Sequence, residues 1–121
     1  MTNVLIAEDD PHIQLLIRKQ LEVAGYRVWA TLDGEEALRH ALEQPPDILV
    51  LDIMLPGKDG LEICRQVKEH FGAKAPPVII ISARGQEMDV EAGDSVGADD
   101  YIIKPFSPRA LLEHVQALLD R

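Results

Sequence analysis

The sequence predicts a doubly wound α/β sandwich, a parallel sheet with helices packed on both faces. Three observations carry that prediction. Short apolar runs alternate with amphipathic stretches five times along the chain. Four of the five runs are continuously apolar, as strands covered on both faces are. Helix caps and turn formers fall between them. At 121 residues, one domain built around one core accounts for the chain.

The elements follow in order. Val4-Leu5-Ile6-Ala7 is the first strand, stopped by Glu8-Asp9-Asp10. Asp10-Pro11 opens a helix, an N-cap followed by proline at the first helical position. Ile13, Leu16, Ile17, Leu21 and Ala24 repeat at helical spacing, and Gly25 ends the helix. Residues 26–30 read as the second strand. Asp33-Gly34 turns into a second helix carrying Ala37, Leu38, Ala41 and Leu42, which Pro45-Pro46 ends. Ile48-Leu49-Val50-Leu51 is the third strand, stopped by Asp52. A loop with Pro56, Gly57, Asp59 and Gly60 leads to a third helix carrying Leu61, Cys64 and Val67, broken by Pro76-Pro77. Val78-Ile79-Ile80-Ile81 is the fourth strand, ended by Ser82. A weak fourth helix spans about residues 86–96, with an internal Gly93. Tyr101-Ile102-Ile103 is the fifth strand, stopped by Lys104-Pro105. A fifth helix starts near Ser107-Pro108 and carries Leu111, Leu112, Val115, Leu118 and Leu119.

Charge narrows the function classes. Twelve Lys and Arg stand against 21 Asp and Glu, a formal net charge of -9. Phosphate backbones and anionic membranes both select clustered positive charge, so neither is an expected partner of this chain. One cysteine, Cys64, excludes an intrachain disulfide and a cysteine-rich zinc site. Cys64 itself reads as a core residue on a helix face. No apolar run approaches the ~20 residues that span a bilayer. Met1-Thr2-Asn3 has no basic region of the kind a signal peptide needs, so the reading is a soluble cytoplasmic protein. A helical pattern still runs at Asp120-Arg121. A single domain over residues 1–121 and the N-terminal part of a longer protein both fit.

In open parallel sheets, ligands bind beyond the carboxyl ends of the strands, near the point where strand order reverses. The residues just after the runs are Glu8, Asp9 and Asp10, then Asp52, Ser82 and Lys104. Three adjacent carboxylates repel one another unless a cation offsets them, and Asp10 serves as the helix cap. Oxygen-only ligands, few in number, suit Mg²⁺. No His or Cys stands at these strand ends, which disfavours zinc and copper. A carboxylate beside such a metal is a nucleophile toward phosphorus and forms an aspartyl-phosphate. The transferred group needs its equatorial oxygens neutralised, and Lys104, the Ser82 hydroxyl and the metal are placed to do that.

These residues also carry a family resemblance. Glu8-Asp9, Asp52 with Met-Leu-Pro-Gly-Lys-Asp-Gly starting two residues after it, Ser82-Ala83 and Lys104-Pro105-Phe106 together resemble the receiver domain of two-component response regulators, over about residues 4–119. The Ala98 to Pro108 stretch is most similar to receivers of winged-helix transcription factors. The resemblance implies a flavodoxin-like three-layer sandwich of five parallel strands in the order 2-1-3-4-5 with five helices. It makes Asp52 the phosphoacceptor. Mg²⁺ would be held by Asp9, Asp52 and the backbone carbonyl of Met54, with Glu8 an outer, water-mediated partner where the family more often has Asp. Lys104 pairs with the phosphoryl group, Ser82 hydrogen-bonds it in place of the commoner Thr, and Lys104-Pro105 is a cis peptide. Tyr101, otherwise a half-buried aromatic on an edge strand, becomes the aromatic switch position.

The partners implied are a sensor histidine kinase or phosphotransfer protein upstream and an effector domain or protein downstream. The output surface is that of the fourth helix, fifth strand and fifth helix. In winged-helix members this surface forms a two-fold dimer through ion pairs. The matching positions here are Val90, Ala110 and His114, and Asp99 and Asp100 face no matched cations, so that dimer is not expected. The resemblance puts Met54 and Arg84 at the positions that flank the path of an attacking water, and neither residue type offers it a base, which implies slow loss of phosphate. Two other classes compete. A Mg²⁺-dependent phosphohydrolase of the haloacid-dehalogenase type needs an acidic residue where Met54 stands. A phosphorylation-independent binding module would have no need to keep Asp9, Asp52 and Lys104, and a flavin carrier's phosphate would be repelled by Glu8-Asp9-Asp10. The four histidines, His12, His40, His70 and His114, read as solvated surface, and Trp29 as packing on the second strand.

Overall fold

The computed structural model describes residues 1–83 and 94–121. The elements are β1 (Asn3–Ala7), α1 (Pro11–Val23), β2 (Arg27–Thr31), α2 (Gly34–Glu43), β3 (Ile48–Asp52), α3 (Gly60–Phe71), a 3-10 turn (Gly72–Lys74), β4 (Val78–Ser82), β5 (Asp100–Ile103) and α4 (Pro108–Leu119). The expected fourth helix lies outside the described residues except for 94–96. The helix expected fifth therefore carries the label α4.

All strands are parallel, in the order β2-β1-β3-β4-β5. Every residue of β3 and β4 is buried, and all of β1 but Asn3, as continuous apolar runs require. Side chains alternate between two cores. Leu5, Ala7, Leu49, Leu51, Val78 and Ile80 pack with Ala37, Leu38 and Ala41 of α2 and Ile63, Cys64 and Val67 of α3. Val4, Ile6, Ile48, Val50, Ile79, Ile81 and Ile102 pack with Ile17 and Leu21 of α1 and Leu111 and Val115 of α4. Helices thus cover both faces, giving the three-layer doubly wound sandwich.

Each described α-helix begins at a side-chain cap. Asp10 accepts from the His12 and Ile13 amides, Asp33 from Glu36, Asp59 from Glu62 and Ser107 from Ala110. Two boundaries differ from the sequence reading. β2 begins at Arg27 rather than Tyr26, because the Tyr26 amide donates to Leu21 O and closes α1 after Gly25 turns at φ +99°. α3 ends at Gly72, φ +59°, well before Pro76-Pro77. Two of the four histidines depart from the solvated reading. His40 stacks on Trp29 with ring centroids 3.9 Å apart, and its Nδ1 is buried without a hydrogen-bond partner. His114 Nδ1 lies 2.6 Å from Asp100 Oδ2. Both sit on the inward-turning side of their helices, one residue before the buried Ala41 and Val115.

Candidate functional site

Strand register brings the expected residues to one edge. Ala7 stands beside Thr31 and Leu51, Asp52 beside Ile81, and Ser82 beside Ile103. Strand order reverses at β1 and β3, which opens the crevice where α/β sheets bind ligands. Alternation then sorts the side chains. Glu8, Asp52 and Lys104 continue the series Val4-Ile6, Ile48-Val50 and Ile102, so all three leave the sheet on the face that α1 and α4 cover. Ser82 continues Val78-Ile80 and leaves on the other face.

Three groups therefore meet. Lys104 Nζ donates to Asp52 Oδ2 at 2.6 Å and to Glu8 Oε2 at 3.2 Å. The Met54 amide donates to Asp52 Oδ1 at 3.0 Å, and the Asp10 amide to Glu8 Oε2 at 3.1 Å. Asp52 is 2% exposed and Glu8 is fully buried, while Asp9 is exposed at the mouth. The β1 alternation turns the Glu8 side chain inward, where it meets Lys104. The Lys104-Pro105 peptide is cis, as expected. Asp10 caps α1 and takes no part in the pocket.

The pocket holds more negative than positive charge. Burial, then the neighbouring Asp52, pushes the Glu8 carboxyl up to about 8. Burial works against the Lys104 ammonium, but hydrogen bonds to Asp52 and Glu8 outweigh it and hold its pKa above the ordinary value.

Ligand oxygens of Glu8, Asp9 and Asp52 lie within 4.8 Å of one another. Glu8 Oε1 is buried and accepts no hydrogen bond, although Lys104 Nζ lies 3.1 Å away. An all-oxygen acidic set with an unused buried acceptor fits Mg²⁺.

Two features went unread in the sequence. Gln14 Nε2 donates to Glu8 O at 3.2 Å and Thr31 O at 2.7 Å, tying the β1 end to β2 and α1. The signal was a neutral polar residue beside Ile13 and Ile17 on an apolar helix face. Gly60 is the second: a Cβ there would stand 2.2 Å from Asp52 O, so the start of α3 lies against the main chain of Asp52. Arg84 and Val90, to which the sequence reading gave roles, lie outside the described residues.

A family model described as "Response regulator receiver domain" matches residues 4–116. The chain belongs to that family. As a receiver domain it is a phosphorylation-activated switch of two-component signalling. It is 42% identical over 120 residues to the transcriptional regulatory protein ResD of Bacillus subtilis (strain 168), covering 99% of this chain and 49% of that one. It is 39% identical to the phosphate regulon transcriptional regulatory protein PhoB of Rhizobium meliloti (strain 1021), covering 100% of this chain and 53% of that one. The receiver domain spans about half the length of these curated relatives. Among solved structures it resembles the receiver domain of sensor histidine kinase PA1611 from Pseudomonas aeruginosa PAO1, which has a magnesium ion coordinated in its active-site cleft. That match has a TM-score of 0.88 and 31% identity over 99% of this chain and 98% of that one. ResD and PhoB, both named as transcriptional regulatory proteins, agree with the transcription-factor resemblance of the Ala98 to Pro108 stretch.

Proposed function

We propose that Asp52 is the phosphoacceptor of this receiver domain and that a histidine kinase or phosphotransfer protein is the donor. One observation carries the reading: the Asp52 carboxylate is buried at a strand end, held by Lys104 Nζ and the Met54 amide, with Glu8 and Asp9 beside it. An Asp52 oxygen attacks phosphorus while the bond to the donor's imidazole nitrogen breaks, and the imidazole keeps the electron pair. Lys104 stays paired with the acceptor and then with the new phosphoryl oxygens. The Ser82 hydroxyl reaches the phosphoryl group from the opposite face of the sheet, and Tyr101 follows it inward. Glu8, Asp9, Asp52 and the Met54 carbonyl would hold Mg²⁺, which when bound offsets the negative charge on the transferring group.

The chemistry stops at self-modification. Met54 stands where a phosphohydrolase needs an acid, so turnover of outside substrates is not part of the reading. The output is an effector domain or protein reached through the fifth strand and its flanking helices. Relatives about twice as long and named as transcriptional regulators support an output at DNA made by another segment. No helix among the described residues is long and apolar enough to cross a membrane. The test is mass spectrometry after incubation with acetyl phosphate and Mg²⁺. One phosphoryl group on Asp52, absent in Asp52→Asn, is expected. An unmodified wild type, or modification that survives Asp52→Asn, overturns the assignment.

A further inference from the structure

Tyr101 is half-buried on β5, beside Ile80 of β4 in the register of the sheet. Its ring packs against the core that includes Ile80, on the face covered by α2 and α3. Ser82 leaves the sheet on that same face, roughly 7 Å further along β4. The Tyr101 hydroxyl does not turn into this core. It donates to the carboxylate of Asp94, an exposed residue seven positions earlier. A hydrogen bond to a charged acceptor is among the stronger ones a phenol makes. Burial of the phenol, and then Asp94 itself, hold the hydroxyl's pKa above its ordinary value, so the phenol keeps the proton it donates.

We infer that Asp94 is a positioning residue for the switch: it holds Tyr101 in the outward arrangement and sets how much phosphorylation must overcome to draw the ring in. The inference rests on the switch role proposed for Tyr101 and adds the group that opposes it. Two arrangements of one ring are in competition, and the Asp94 bond exists in one of them. A contact made in one state alone shifts the equilibrium by its full differential strength. By linkage, a ligand that favours the inward ring binds more weakly while Asp94 is present. Asp94 touches neither the phosphoacceptor nor the acidic cluster, so it acts through Tyr101.

The test uses the intact chain labelled with 3-fluorotyrosine. The chain has two tyrosines, Tyr26 and Tyr101, and Tyr101→Phe identifies the Tyr101 fluorine signal. Beryllofluoride with Mg²⁺ serves as the phosphoryl mimic. In wild type it should move the Tyr101 signal. In Asp94→Ala the signal should start part-way toward the mimic-bound position, and beryllofluoride should bind about five- to tenfold more tightly. Asp94→Asn, which keeps a neutral acceptor, should fall between. On a Tyr101→Phe background, which has no hydroxyl to donate, Asp94→Ala should leave the affinity unchanged. An Asp94→Ala signal and affinity equal to wild type, with the mimic still moving Tyr101, overturns the role of Asp94 alone. A gain that persists on the Tyr101→Phe background overturns it equally. A wild-type Tyr101 signal that the mimic leaves in place overturns the switch reading, and the Asp94 role with it.

Discussion

Two residues past Asp52, the Met54 side chain is 63% exposed while its amide is committed to the Asp52 carboxylate. A thioether is a weak acceptor and cannot orient a water for attack on phosphorus. Met54→Asn supplies a carboxamide at the same point. We expect phosphate loss to quicken by roughly tenfold or less, below the 10²–10⁴ of a true acid–base group, because an amide orients water without taking its proton. Following the decay of the phosphorylated form over time checks this, and an unchanged or slower decay contradicts it. Asp99 shows a second residue at work. Its Oδ2 accepts from Lys68 Nζ at 2.7 Å and from the Val78 amide at 2.8 Å, and its Oδ1 from Arg121 at 3.1 Å. Burial opposes its charge, but these donors outweigh it and hold its carboxyl below the ordinary 3.8. A depressed folded-state pKa gives stability that is present above the unfolded value and lost as pH falls through the folded one. Asp99→Ala should cost about 1–3 kcal/mol near neutral pH, because it strands the Val78 amide and the Lys68 ammonium. Its deficit against wild type should shrink as pH falls below the ordinary value of 3.8. Urea unfolding on either side of that value reads both effects, and a deficit independent of pH contradicts the assigned cause.

At the scale of elements, the start of α3 is the most constrained junction. Gly60→Ala would force a Cβ against Asp52 O at 2.2 Å and Asp52 C at 2.8 Å, both main-chain atoms that cannot swing aside. The expected cost is about 1–3 kcal/mol of stability, together with slower reaction of Asp52 with acetyl phosphate. Gly25→Ala is the control. It is strained by φ +99° but meets nothing within 4 Å and lies far from Asp52 in the chain, so it should lose stability and keep the reaction rate. Equal rates in both variants contradict the coupling. The elements themselves were largely legible. Continuous apolar runs gave β1, β3 and β4, and Asp-Pro, Asp-Gly and Ser-Pro pairs gave three helix starts. β2 slipped by one residue because a backbone amide closing the preceding helix leaves no trace in side-chain pattern. The site residues were legible as the groups that stop each run. The inward turn of Glu8 was not, since it depends on strand alternation carried past the last apolar residue. Pairings such as Tyr101 with Asp94, His114 with Asp100 and Gln14 with two carbonyls join residues whose partners only the packed fold selects. For the same reason the sequence did not show that Asp99 pairs with Lys68 and Arg121, and Asp100 with His114, within the chain.

At the scale of the whole molecule, three carboxylates and one ammonium share a pocket at the centre of the sheet. A cation that binds there in the native state and finds no such site in the unfolded chain must stabilise the fold by mass action. Mg²⁺ at ten times its Kd should add about 1.4 kcal/mol, a rise of a few degrees in Tm. Asp9→Asn should lose most of the gain while folding normally, because Asp9 is exposed. A wild-type Tm indifferent to millimolar Mg²⁺ contradicts the site.

The two bonds from Lys104 span 96 and 52 residues of chain, to Glu8 and to Asp52. A nascent polypeptide leaving the ribosome presents its acidic residues long before their counter-charge is synthesised. Until the fifth strand has been made and has docked beside the fourth, Asp52 has no ammonium to hold it, however complete the earlier layers are. Such long-range closure comes late in folding. A chain made only that far therefore carries the Asp52 and Glu8 carboxylates without the ammonium that joins them in the finished fold.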